Sequence, residues 1–173
     1  SSAASDVYKR QILTKRPRRM LQFVLNYGPV PDHIWMGVTV ENSDFKDRID
    51  VRREVPCKSR FISFEPLIGA VGELDLSKIA WAIVGGESGK NYRPVNAEWV
   101  REIRDQCLAQ GAAFFFKQWG GPRPKSGGRD LDGRLWDEYP PSHSDWLRRT
   151  PKRLSRPFDT TSLTETRLCE ARR

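Results

Sequence analysis

Short apolar runs recur along the chain, each closing on a polar residue. They are Gln11-Ile12-Leu13-Thr14, Ile34-Trp35-Met36-Gly37-Val38-Thr39-Val40, Phe61-Ile62-Ser63-Phe64, Trp81-Ala82-Ile83-Val84 and Ala113-Phe114-Phe115-Phe116. All are brief, rich in β-branched and aromatic residues, and apolar at successive positions, so that both faces are hydrophobic. This is the pattern of buried parallel strands rather than of half-exposed antiparallel ones.

Helical spacing falls between several of the runs. Met20, Leu21, Val24 and Leu25 form one stripe over residues 18–26, and Gly28 follows as a stop. Asn42 or Ser43 can cap a helix carrying Phe45 and Ile49, with Asp44 near its positive end. Asn96 caps the clearest helix, in which Trp99, Val100, Ile103 and Cys107 share a face, and Gly111 suits a left-handed C-terminal position. The segment from Pro66 to Lys78 is too short and glycine-rich to be a helix. Alternation of strand and helix predicts an α/β fold of five parallel strands, either an arc of a (β/α) barrel or an open doubly wound sheet. Beyond it, Asp132-Gly133 marks a hairpin turn between 129–131 and 134–136. From about Pro140 the periodicity ends, and residues 141–173 read as a basic, disordered tail.

Charge sharpens this division of the chain. The net charge of +8 over 173 residues is not spread evenly. Residues 1–20 carry six Lys/Arg against one Asp, and residues 141–173 carry eight against four acidic residues. The middle, 21–140, carries sixteen basic against seventeen acidic residues, so the basicity lies at the two ends. That gives nucleic acid only weak support as a partner. Asp6-Val7-Tyr8-Lys9-Arg10-Gln11 is one reading frame of GATGTGTATAAGAGACAG, which resembles the end sequence of a transposon used to fragment DNA for sequencing. Residues 1–10 therefore read as a library scar, the alternative being an ordinary basic leader, and 11–140 as the C-terminal part of a barrel domain. A cut reading frame would leave the first strand unpaired along one side and the apolar surface of Met20 and Leu21 uncovered. No apolar run is long enough for a membrane span. Cys57, Cys107 and Cys169 are too dispersed for a disulfide framework or a zinc site, and the expected setting is the cytoplasm.

In parallel α/β folds the active site lies beyond the C-terminal ends of the strands. Lys15-Arg16, Glu41-Asn42, Glu65, Gly85-Gly86-Glu87-Ser88-Gly89 and Lys117-Gln118 occupy those places in turn. Alternation puts Thr39 with Glu41, and Ser63 with Glu65, on one side. Glu41, Glu65 and Glu87 are candidates to converge as acid/base groups or hard-metal ligands, and strand ends that simply meet water are the plain alternative. Gly85-Gly86 would let a ligand approach the backbone, with free amides for a carboxylate or phosphate. Arg93 lies close enough in sequence to pair with Glu87 or with an anionic ligand. GGESG matches neither the Walker pattern nor the dinucleotide fingerprint, and neither His33 nor His143 stands at a strand end.

Several blocks together are similar to one family: Leu13-Thr14-Lys15-Arg16-Pro17, Gly37-Val38-Thr39-Val40-Glu41-Asn42, Phe61-Ile62-Ser63-Phe64-Glu65-Pro66-Leu67, Val84-Gly85-Gly86-Glu87-Ser88-Gly89 and Phe115-Phe116-Lys117-Gln118-Trp119-Gly120. They resemble the phage gene-product thirty-seven/sixty-eight family, a radical-SAM-like domain of unknown function found in phages and bacteria. The resemblance implies a (β/α) partial barrel. In full-length relatives it implies a three-cysteine loop holding a 4Fe–4S cluster that binds S-adenosylmethionine. None of this chain's cysteines lies within a few residues of another, so it is expected to hold no cofactor by itself. The resemblance thus describes a piece of an iron–sulfur enzyme that lacks its cluster loop and the N-terminal part of its domain. Glu41, Glu65 and Lys117 are then the catalytic candidates, with Gly85, Gly86, Glu87 and Arg93 as cofactor contacts and no metal ligand assigned. Two other readings stand beside it. One is a cluster-independent barrel enzyme using glutamate acid/base or metal chemistry. The other is a non-catalytic phage accessory protein that binds a partner, and the substrate, nucleic acid among the candidates, is not specified.

Overall fold

A computed structural model describes residues 10–140 of the chain. Residues 1–9 of the N-terminal segment and the tail from 141 lie outside the described residues. Five strands form one wholly parallel sheet: β1 (Arg10–Thr14), β2 (Ile34–Thr39), β3 (Ser59–Phe64), β4 (Trp81–Gly85) and β5 (Ala113–Gln118). Their spatial order is their chain order, β1-β2-β3-β4-β5. A doubly wound sheet reverses its order at a switch point, and this one does not, so that alternative is set aside.

Helix α1 (Pro17–Tyr27) follows β1, α2 (Asp47–Glu54) follows β2, and α3 (Ala97–Gln110) follows β4. Local chemistry accounts for their ends. Pro17 sits at the start of α1, where its missing N–H is not needed, and Gly28 ends it with φ 97°. Asn96 accepts from the Glu98 amide to cap α3, and Gly111 closes it in the left-handed region at φ 75°. The helix expected after Asn42 is split. Asn42 caps a short 3-10 turn over Ser43–Phe45, and the α-helix begins only at Asp47. No helix follows β3, and residues 66–80 run as an ordered loop that buries Leu67, Val71, Leu74 and Leu76.

Alternate residues of the strands face two different cores. Val38, Ile62, Phe64, Ala82, Val84, Phe114 and Phe116 pack with Ile49, Val100, Ile103 and Cys107 on the helix side. On the other side Trp35, Phe61 and Trp81 form a cluster with Ile83, Phe115 and Tyr139 packed against it. The two edges of the sheet differ. The outer edge of β5 is covered by the segment after a hairpin of β6 (Asp130–Leu131) and β7 (Arg134–Leu135), because Phe116 donates to the Trp136 carbonyl and Glu138 to the Phe114 carbonyl. Tyr139 then folds onto Trp81 at 5.2 Å between ring centroids. The hairpin itself joins Asp130–Leu131 to Arg134–Leu135 through Asp132 and Gly133, both at positive φ, as the Asp-Gly pair predicts.

At the opposite edge, among the described residues, β1 pairs with β2 alone, and Ile12 and Leu13 remain 45% and 48% exposed. The expectation of a buried strand therefore fails for β1, since its apolar run has a neighbour on one side only. Met20 corrects a second expectation. It is buried with Val24, Met36 and Val55, so α1 is covered by the molecule's own β2 and α2 region. The exposed apolar side chains of α1 are instead Phe23, Leu25 and Tyr27.

Candidate functional site

Strand register lays the face opposite the helices out in rows. Gly37, Phe61, Trp81 and Ala113 are cross-strand neighbours in one row, and Thr39, Ser63, Ile83 and Phe115 in the next. Gly37 makes the first row possible, because a Cβ there would overlap the Phe61 ring. Towards the C-terminal ends of the strands the face thus changes from aromatic to hydroxyl-bearing, with Thr39 and Ser63 both buried. The third row is charged. The Lys117 ammonium donates to the Glu65 carboxylate at 3.0 Å, reaching from the end of β5 to the end of β3. Gly85 lies on the strand between them, and a Cβ there would stand 3.3 Å from the Glu65 carboxylate. The absence of a side chain at Gly85 leaves the room through which the pair meets.

Glu41 is only 5% exposed. Its carboxylate is held by Lys15 from the end of β1 at 2.5 Å and by Arg48 at 2.9 Å, and Arg48 also donates to the Thr39 carbonyl. Two cations satisfy a carboxylate that water no longer reaches. Glu87 is clasped by Arg93 in a fork. The guanidinium donates to both carboxylate oxygens, at 2.8 and 2.7 Å, and the Arg93 amide adds a third bond at 2.9 Å. The Arg93 side chain and then its amide hold the Glu87 carboxyl down to about 2.

Because folding lowers this group's pKa, the clasp contributes fully above the ordinary carboxylate range, and its contribution fades as pH falls from about 4.3 towards 2. A carbon-13 titration of the Glu87 carboxyl is expected to show a midpoint near 2. A midpoint in the ordinary range of about 4 would mean that the clasp does not persist in solution.

Glu41, Glu65, Glu87 and Lys117 therefore stand at one end of the parallel sheet, the three carboxylates each in a separate ion pair rather than in one acidic cluster. Among the described residues no group of three or more His, Cys, Asp or Glu side chains could hold a metal ion, so Glu41, Glu65 and Glu87 do not converge on one. Each carboxylate instead has its own cation: Lys15 and Arg48 for Glu41, Lys117 for Glu65 and Arg93 for Glu87.

Gly86 also differs from its expected use. The Gly86 amide donates to the Gln118 carbonyl at 2.8 Å, and a Cβ on Gly86 would overlap the Trp119 carbonyl oxygen. The backbone that comes close to this glycine is the protein's own. The Gly89 amide donates to Gly121, and the Gly121 amide to Glu87, each at 3.0 Å. Gln118 completes the join with its side-chain amide, which donates to the Gly86 carbonyl and the Ser88 hydroxyl. Arg48 was not singled out by sequence. It stands in a strongly polar stretch, and only the distance to Glu41 marks it.

The class defined by this fold and edge is a parallel α/β domain, its strands in sequential order, with ion pairs at the C-terminal ends. A family model for a protein of unknown function (DUF5131) matches residues 2–140, and the chain belongs to that family. No curated protein and no solved structure gives a significant match. No helix among the described residues is long and apolar enough to cross a membrane.

Proposed function

We propose that this chain is the C-terminal arc of a (β/α) barrel enzyme of the radical-SAM-like kind its motifs resemble. In this reading Glu65 and Lys117 contact the substrate, and Glu41, with Lys15 and Arg48, borders the same edge. The observation that carries the reading is the Glu65–Lys117 pair, held across Gly85 above a row of buried hydroxyls. A hydrogen-bonded ammonium and carboxylate can take up and release a proton, and each can bind the opposite charge on a small molecule. The sequential strand order supports an arc of a barrel, and the covered edge of β5 confines further growth of the sheet to β1. Among the described residues β1 has a strand on one side, which favours its taking a further parallel strand from the N-terminal part of the same domain.

A 4Fe–4S cluster does not fit the cysteines described. Cys107 is buried in α3 against the sheet, and burial pushes its thiol up to about 12. Cys57 lies beside the first residue of β3, at the opposite end of the sheet from the ion pairs. Cys169 lies outside the described residues. The cysteines of such a cluster would have to come from elsewhere, and the acid/base reading of Glu65 and Lys117 stands without them.

Two measurements test the proposal. Anaerobic incubation with iron and sulfide is expected to give no stoichiometric cluster on this chain, and a full cluster would overturn the assignment of its cysteines. A set of small amino, carboxyl and phosphate compounds is then screened by amide chemical shifts. At least one class is expected to move Thr39, Ser63, Gly85 and Lys117 together, and to lose that effect in E65Q and K117Q. Shifts confined to other parts of the molecule would overturn the substrate edge.

A further inference from the structure

The loops after β4 and β5 enclose a cleft of about 400 Å³, separate from the Glu65–Lys117 pair. Tyr92, Pro94 and Val95 line it from one loop, and Trp119, Pro122 and Ser126 from the other. None of its lining residues is charged. Tyr92 is exposed, whereas Trp119 is half-buried and held in place. The Trp119 indole N–H donates to the Asp130 carbonyl at 2.6 Å, and its ring meets Phe116 edge-on at 4.7 Å.

The two loops that line this aromatic cleft carry more basic than acidic residues, the acidic one being Glu87. Residues 119–129 contain Arg123, Lys125 and Arg129 and no acidic residue, and Lys90 lies two positions before Tyr92 in the other loop. Arg129 pairs with Asp137, and Arg93 is engaged by Glu87. Lys90, Arg123 and Lys125 have no ion pair among the described residues, and all three are exposed. The loop that carries two of them is held in place. The Lys125 amide donates to the Gln118 side chain at 3.0 Å, and the Ser126 hydroxyl to the Arg123 carbonyl at 2.7 Å. The near-neutral sum over the middle of the chain conceals this local excess of positive charge.

A flat apolar ring with negative charge on both sides is the complement of such a place. The ligand that combines them repeatedly is a nucleotide chain, and its bases are open to side-chain rings only when they are unpaired. We propose that this cleft binds single-stranded nucleic acid, with one base against Tyr92 and Trp119 and the neighbouring phosphates at Lys90, Arg123 and Lys125.

The test uses the full chain with a fluorescein-labelled oligothymidylate of about ten nucleotides, followed by anisotropy. Y92A, at an exposed position that leaves the core intact, is expected to weaken binding by at least about fivefold, the low end of what one stacked base supplies. The double variant R123Q/K125Q is expected to lower the slope of log affinity against log salt by about 1.4, two phosphates at about 0.7 each for a single strand. Photo-crosslinking with an iodouridine-substituted strand is expected to label the peptides that contain Tyr92 or Trp119. Unchanged affinity in Y92A, or cross-links confined to residues 141–173, would overturn the site. A free mononucleotide or a duplex that binds as tightly as the single strand would overturn the class of ligand.

Discussion

Replacing Arg52 by alanine is expected to cost about 2–5 kcal/mol of folding stability, the size of the loss when a large side chain is truncated in a packed interior. Arg52 stands in α2 and is 0% exposed. Its guanidinium donates twice to the Met36 carbonyl, at 2.9 and 2.5 Å, and once to the Ser59 carbonyl at 3.3 Å. Cys57 Sγ lies 3.0 Å away. One side chain thereby ties the helix to both β2 and β3. The interior penalises the charge, and burial lowers the pKa of Arg52, with the Cys57 contact opposing. Truncation to alanine would leave backbone acceptors without their donor and open a void the size of the side chain. R52M fills the space and removes the buried charge, so it is expected to cost less than R52A. Urea titration of the three proteins decides this. A shift for R52A below about 1 kcal/mol, the contribution of one ordinary hydrogen bond, would show that Arg52 is not the tie described.

Gly86→Ala is expected to destabilise by about 3 kcal/mol, at the upper end of ordinary overpacking. The added Cβ would meet the Trp119 carbonyl oxygen, and the neighbouring contact is equally tight, since a Cβ on Gly120 would overlap the Glu87 carbonyl. Both obstacles are backbone, so no rotamer change relieves them. The two loops would have to separate, breaking the Gly86–Gln118 bond and the reciprocal Gly89–Gly121 and Gly121–Glu87 bonds. Amide exchange should rise at those glycines first, while α3 and the central strands keep their protection. Gly72 supplies the comparison. It has φ 68°, but a Cβ there would meet nothing within 4 Å. G72A should therefore cost only the backbone strain of a left-handed residue, about 1 kcal/mol. If G86A proves no worse than G72A, the close approach of the two loops is not a constraint on the fold.

The features legible along the chain are those decided by neighbours a few residues apart. Runs such as Trp81-Ala82-Ile83-Val84 specify a strand with two apolar faces, and Asn96 and Gly111 bound α3 through local hydrogen bonding and a left-handed turn. Asp132-Gly133 sets its hairpin in the same way. That the candidate residues lie at one end of the sheet also follows from parallel strands, because each closes a run of the same polarity. Their pairing does not follow from it. Glu65 meets Lys117 and Glu41 meets Arg48 through separations in space that leave no periodic trace in the sequence.

The tertiary structure also chose between uses that the same residues allow. Gly85-Gly86 permits a close approach by any backbone or ligand; the Glu65 side chain arrives at Gly85 and the loop after β5 at Gly86. Arg52 belongs to a stretch, Asp47–Glu54, polar enough to read as a solvated helix. It is buried because carbonyls from two strands converge where its guanidinium reaches. The apolar run of β1 looks like those of the interior strands but, among the described residues, has a partner strand on one side alone. Hydrophobic pattern expresses what a segment can bury, whereas burial depends on which surfaces distant parts of the chain bring against it.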